Sequence, residues 1–275
     1  MSSLADIQRH VAGPPRVVVY GVPGIGKTSV AACFPRPVFM PVEMGLGQLD
    51  VEAFPQPQNY ADVCQNIQAL IDGEHDYETL VIDSLDVLEP LIWQHVCATV
   101  RTDKGSQAAN IHSYGFHKGF DHARGEWSNL LAGLDTLRER RGMLVVLVAH
   151  SIVTHFDAPD TDPYDRFSIA IEKKSEPLLR GWADASFFLN YRVTAVDSEG
   201  RRDDRKRGVG RGERVCHTVE RPAWFAKNRY RMLHEIIIPE NKPEIVWQAL
   251  AAALASGHTA TSATQLDPTK LTNET

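Results

Sequence analysis

A β-branched run, Arg16-Val17-Val18-Val19-Tyr20, leads straight into Gly21-Val22-Pro23-Gly24-Ile25-Gly26-Lys27-Thr28, and no other stretch restricts the folds open to this chain as much. The spacing is G-x-x-x-x-G-K-[ST], the P-loop or Walker A pattern. Glycines allow the backbone to curl until successive N–H groups point inward at a phosphate chain. The lysine reaches the β- and γ-phosphates, and the final hydroxyl binds Mg²⁺. The pattern carries this meaning only between a strand and a helix. Here the run before it suits a buried strand, and Thr28-Ser29-Val30-Ala31-Ala32-Cys33-Phe34 can open a helix. Gly21 to Ser29 therefore read as a triphosphate-binding loop, with Val22, Pro23, Gly24, Ile25 and Gly26 forming the turn and Lys27 and Thr28 supplying the side chains.

Further strand signals recur at the spacing of an α/β protein. Pro37-Val38-Phe39-Met40-Pro41-Val42 is a short apolar run ending in Glu43. Val63, Ile67, Leu70 and Ile71 have helical spacing within 60–71, and Thr79-Leu80-Val81-Ile82-Asp83-Ser84 is a third strand followed by a helix over 85–100. A Gly/His/Ser-rich connection over 102–119 precedes a helix through Trp127, Leu130, Leu131, Leu134 and Leu137. Met143 to Ala149 is a fourth strand closed by His150, and the polar, Pro/Asp-rich segment 151–165 reads as a loop. A short helix over 175–182 follows. Strands over 185–196 and 214–219 then flank a Gly/Arg-rich loop, as in a hairpin that extends the sheet. A final helix spans 243–255. Alternating strand and helix imply a mostly parallel twisted sheet covered on both faces. The expected division is an N-terminal extension (1–14), one ATPase domain (15–256) and a disordered Thr/Ala-rich tail (257–275).

Hydrolysis needs parts beyond the loop. Asp83 ends an apolar strand, as the Walker B aspartate does, where a carboxylate orients Mg²⁺ through its water shell beside the P-loop hydroxyl of Thr28. Glu43 stands at the same end of its strand and is the candidate for aligning the attacking water. His150 ends the fourth strand on that edge, where it could sense the γ-phosphate or serve as a structural histidine. His112, His117 and His122 recur at spacings of five, which puts them on different helical faces. With no matching Cys or carboxylate pattern they do not read as a zinc site. Cys33, Cys64, Cys97 and Cys216 are scattered without a C-x-x-C pair and read as free, buried thiols of a reducing cytoplasm. Trp93, Trp127, Trp182 and Trp247 read as core packing. No membrane span or secretion signal is evident, so the expected location is the cytoplasm.

With these parts in place the chain resembles the RecA-like ATPases of phages, the phage nucleotide-binding branch of the AAA/RecA superfamily, over about 15–239. The resemblance rests on Gly21–Thr28, Phe39-Met40-Pro41-Val42-Glu43, Leu80-Val81-Ile82-Asp83-Ser84, Val146-Leu147-Val148-Ala149-His150 and Ala226-Lys227-Asn228-Arg229-Tyr230. The last is similar to the Lys-Asn-Arg motif of RadA and DnaB-type rings, whose Lys and Arg reach a neighbouring subunit's triphosphate. It implies that Lys227 and Arg229 act in trans on the charge that develops during phosphoryl transfer. Pro41-Val42-Glu43 departs from relatives that carry an aspartate two residues before the glutamate.

The resemblance further implies a RecA-like P-loop NTPase fold with a C-terminal β-hairpin, ATP and Mg²⁺ as cofactors, and a DNA-stimulated ATPase of recombination or single-strand annealing. The source would be a phage or prophage, placing the protein in the host cytoplasm. Expected partners are single-stranded DNA, further copies of the chain in a ring or filament, and a single-strand-binding protein. The chain's net charge is −6, yet 201–232 holds eleven Lys and Arg against four Asp and Glu. Arg205, Lys206, Arg207 and Arg211 on the loop over 200–212 suit contacts to a single-stranded backbone without base readout; a plain surface loop is the alternative. Two other readings of the whole chain are a nucleotide-dependent switch with little hydrolysis and a P-loop kinase, although no lid arginine pattern is apparent.

Overall fold

Strands that are apolar on both faces must be covered on both sides. β1 (Arg16–Gly21) meets this condition, with Val17, Val18, Val19 and Tyr20 all fully buried. The computed structural model describes residues 12–157, 159, 162–192, 194–196, 207–209 and 212–262. After β1 come α1 (Lys27–Ala31), β2 (Pro37–Pro41), β3 (Glu52–Ala53), α2 (Tyr60–Asp72), β4 (Thr79–Asp83), α3 (Leu85–Thr99) and α4 (Lys118–Arg141). The second half holds β5 (Leu144–Phe156), β6 (Tyr164–Ile169), α5 (Glu176–Trp182), β7 (Ala185–Tyr191), β8 (Thr194–Val196), β9 (Arg207–Val209), β10 (Arg214–His217), β11 (Lys227–Asn228), β12 (Glu235–Ile238) and α6 (Ile245–Ser262). The main sheet runs in the order β12-β10-β7-β1-β5-β4-β2-β3. From β7 to β3 all neighbours are parallel, whereas β10 and β12 join antiparallel at the other edge.

The period of two along each strand divides the core into two layers. Val18 and Tyr20 of β1, Leu80 and Ile82 of β4, and Val145 and Leu147 of β5 face α2, α3 and α4. Val17 and Val19, Val81, and Val146 and Val148 face α1 and α6 instead. Each helix meets its layer with a stripe at helical spacing, such as Leu85, Leu88, Ile92 and Val96 of α3. α2 begins at a capping box, in which the Asn59 side chain accepts from the Asp62 backbone at 3.0 Å and Asp62 accepts from the Asn59 backbone at 3.3 Å. The fully buried Trp127 of α4 donates its indole N–H to Glu89 of α3 at 3.3 Å. The second Glu89 oxygen accepts from the Glu172 backbone at 2.9 Å. Burial pushes the Glu89 carboxyl up to about 7, against the pull of these two donors.

The sheet and its antiparallel C-terminal edge match the expected fold class. One segment departs from expectation. Residues 151–156 continue β5 beyond the sheet and pair antiparallel with β6, from Ser151 opposite Ile169 to Phe156 opposite Tyr164. Ile152, Val153, Thr154 and Phe156 are β-branched or aromatic and favour an extended pleat. The Pro/Asp-rich character of 151–165 that suggested a loop throughout is confined to the connection after Phe156. α6 likewise continues to Ser262, past the end expected at 255, in a stretch with no proline to stop it.

β8 and β9 form a separate antiparallel pair between β7 and β10. Arg207 lies on β9, while Arg205, Lys206 and Arg211 lie outside the described residues. Among the described residues no helix is long and apolar enough to cross a membrane.

Candidate nucleotide site

In an open parallel sheet, ligands collect at the carboxyl ends of the strands. Gly21 ends β1 in register with Leu189 of β7 and His150 of β5. A Cβ on Gly21 would stand 2.2 Å from the Leu189 carbonyl oxygen, so only glycine lets these strands stay paired where the loop departs. The loop then curls through Gly24 at φ +73° and Gly26 at φ +99°, both in the left-handed region.

Lys27 is 6% exposed. Its ammonium donates to the carbonyls of Gly21 and Val22, each at 3.2 Å, which folds the side chain back over the loop. Burial pushes its pKa down, and the carboxylates of Asp83, Asp86 and Glu43 oppose that shift. Thr28 donates its hydroxyl to Asp83 Oδ2 at 2.8 Å across the gap between the loop and β4. Asp83 is 5% exposed, and burial raises its carboxyl above the ordinary range against the hydrogen bond from Thr28. A hydroxyl and a carboxylate side by side are the hard oxygen donors that Mg²⁺ takes. The residues present therefore fit that ion.

Glu43 lies just beyond β2, and its Oε1 accepts from the Ser84 hydroxyl at 3.1 Å. His150 is held by Asp86 in the first turn of α3, which accepts from the His150 backbone N–H at 2.9 Å and contacts its Nδ1 at 2.9 Å. A carboxylate has no proton to give, so the hydrogen bond assigns the imidazole proton to Nδ1 and leaves Nε2 as the ring nitrogen open to the cleft. Gly24, Gly26, Lys27, Thr28, Ser29, Glu43, Asp83 and His150 line one cleft of about 360 Å³. The sheet thus brings together the P-loop, Glu43, Asp83 and His150. Ser84 and Asp86 escaped the sequence reading. The available signal was their position directly after the strand-ending Asp83, where a helix's first turn points back at the same edge.

Lys227 and Arg229 are elsewhere. β11 pairs with the start of β7, Lys227 opposite Ser186 and Asn228 opposite Ala185. Ala185 is in register with Val17, four residues of strand or about 13 Å from the loop at Gly21. The Lys227 ammonium donates to the carbonyls of Arg180 at 2.7 Å and Gly181 at 3.1 Å, while burial and the adjacent Arg229 guanidinium push its pKa down. Arg229 donates to Asp184 at 2.9 Å and is about half exposed. Neither side chain belongs to the cleft of its own chain.

The other candidates fall into the frame. His112 and His117 lie against the Phe120 ring and His122 against Tyr114. Trp247 packs on Phe34, and Trp182 donates to Asp135 at 3.0 Å. All four cysteines are free thiols, but against expectation only Cys216 is buried: Cys33 and Cys97 are partly buried, and Cys64 on α2 is exposed.

A P-loop at the end of β1, an aspartate ending β4, and β5 inserted between those two strands make this a P-loop nucleotide-binding fold. A family model described as an AAA domain, AAA_24, matches residues 13–230, and the chain belongs to that family. No curated protein matches the sequence. Among solved structures, the RadB recombinase is similar at 14% identity and a TM-score of 0.44, with 84% of this chain and 90% of that chain covered.

Proposed function

We propose that this protein is a Mg²⁺-dependent ATPase acting in DNA recombination or single-strand annealing. The observation that carries the ATPase reading is the meeting of Lys27, Thr28, Asp83, Glu43 and His150 around one cleft at one sheet edge. The loop's amides and Lys27 would bind the triphosphate, and Thr28 with Asp83 would hold Mg²⁺. When bound, the ion would supply positive charge against that of the phosphates. Glu43, steadied by Ser84, aligns water and accepts its proton. His150, held by Asp86, presents Nε2 to the terminal phosphate. Neutral imidazole accepts through Nε2 and imidazolium donates through it, so the protonated form suits an anion.

The DNA reading rests on the basic segment 201–232 and its Gly-flanked arginines, and the source reading of a phage or prophage on the motif resemblance alone. ATP hydrolysis is expected to rise with single-stranded DNA and to fall to background in Lys27→Ala. Neutralising Arg205, Lys206 and Arg207 together is expected to remove the DNA response and flatten its salt dependence. Phosphate release equal in wild type and Lys27→Ala would overturn the ATPase reading. A rate indifferent to DNA, with ATP-dependent partner binding, would indicate a nucleotide switch.

Lys227 and Arg229 are read as completing a neighbour's site. Their placement far from the cleft of their own chain is compatible with action in trans and not in cis. An Arg229→Ala chain mixed with a Lys27→Ala chain should then recover activity, because some interfaces pair an intact P-loop with an intact finger. Mixtures no more active than either variant alone would reject the trans role.

A further inference from the structure

The strand order lays the site out in a direction. Glu43 just past β2, Asp83 at the end of β4 and His150 within β5 all lie on one side of β1, so the γ-phosphate end of a bound triphosphate points toward them. The other end of the nucleotide must then leave the loop on the far side of β1, where β7 and β10 lie. Arg214, the first residue of β10, occupies that place. It lies two residues before Cys216 on the strand and so shares its face, and Cys216 packs in the same layer as Val30 and Ala31 of the P-loop helix. The side chain therefore runs along the sheet face that carries the loop.

Two observations fix the guanidinium there. Nη1 would lie 2.9 Å from a Cβ on Gly26, which seats the tip of the guanidinium against the loop. Nη2 donates to the carbonyls of Pro239 at 2.8 Å and Glu240 at 2.6 Å, just past β12. A planar group clamped at one end and seated against the loop at the other is pre-organised, and arginine at such a position stacks on aromatic faces.

We propose that Arg214 forms the nucleoside subsite of this cleft, its guanidinium plane stacking on the base of the bound nucleotide. The inference rests on the triphosphate reading above and adds to it a base-contacting group that the P-loop motif does not contain. Stacking of this kind depends on a π-face and not on the base's hydrogen-bonding edge, so ATP and GTP benefit alike.

The test is equilibrium titration of wild type, Arg214→Ala and Arg214→Lys with ATP and with inorganic tripolyphosphate, both in Mg²⁺. Lysine keeps the charge and a donor for the Pro239 and Glu240 carbonyls but has no plane, and it decides the matter if Arg214→Ala does not fold. Both variants should bind ATP on the order of tenfold more weakly, with tripolyphosphate affinity unchanged. Equal losses for the two ligands, full affinity in Arg214→Lys, or unaltered ATP binding would each overturn the subsite. Wild type binding neither ligand would instead bring down the triphosphate reading itself.

Discussion

Glu43→Gln is expected to lower ATP hydrolysis by about 10²–10⁴-fold while leaving ATP binding nearly intact. The glutamine side chain keeps an oxygen to accept from Ser84, whose bond to Glu43 Oε1 spans 3.1 Å, so the local geometry survives. What disappears is the charge proposed to take a proton from water. Lys27→Ala, by contrast, is expected to lose binding and turnover together, since it removes the ammonium proposed to meet the phosphates. Single-turnover phosphate release beside equilibrium ATP binding separates the two effects. A Glu43→Gln chain that hydrolyses within a few-fold of wild type would pass the role to another group. Asp83 is the nearest alternative, and its side chain is already committed to the Thr28 hydroxyl at 2.8 Å.

Asp184→Ala is expected to cost about 3 kcal/mol of stability near neutral pH, the lower end for breaking a buried ion pair because both partners keep some contact with solvent. Asp184 lies just before β7 and accepts from the Arg16 backbone at 3.2 Å, from Arg16 Nε at 3.1 Å and Nη2 at 2.9 Å, and from Arg229 at 2.9 Å. Its side chain is 12% exposed and that of Arg16 20%. The substitution strands the Arg16 guanidinium at the foot of the central strand, with Asp135 at 3.3 Å as its remaining carboxylate partner. For a domain of this size the loss corresponds to about 6–12 °C in Tm. Burial alone would raise the Asp184 carboxyl, but the hydrogen bonds and charge of Arg16 outweigh it and hold the pKa below its ordinary value. The unfolded chain therefore binds this proton more readily than the native one. The stability Asp184 contributes is complete above about pH 3.8 and is lost as pH falls below it. Thermal melts from pH 2.5 to 7 should show a shallower acid limb in the variant. A Tm within 2 °C of wild type across that range would contradict the account.

The same aspartate ties the cleft-remote end of the sheet to Arg229, and that connection was invisible in the linear chain. The motif around Lys227 identified candidates for a shared site, but their place opposite the start of β7 came from pairing between segments some 40 residues apart. The hairpin of β5 and β6 was missed for a similar reason. A count of Pro and Asp over 151–165 averaged a β-branched half with a turn, and only the partner strand shows where one ends. In the linear chain nothing marks Asp86 as a partner of His150, yet its carboxylate meets both the backbone and the ring of that histidine.

Features set by neighbours in the chain were legible without coordinates. The curl of the P-loop depends on glycines at fixed offsets, and buried strands announce themselves as apolar runs that end in Asp83, near Glu43, or at His150. The convergence of those ends depends on which strands lie side by side. β5 between β1 and β4, and β7 and β10 beyond β1, follow from packing two apolar layers against one twisted sheet. That long-range burial brings Thr28 to Asp83, Asp86 to His150 and Arg214 to Gly26, contacts that no local pattern of residues encodes.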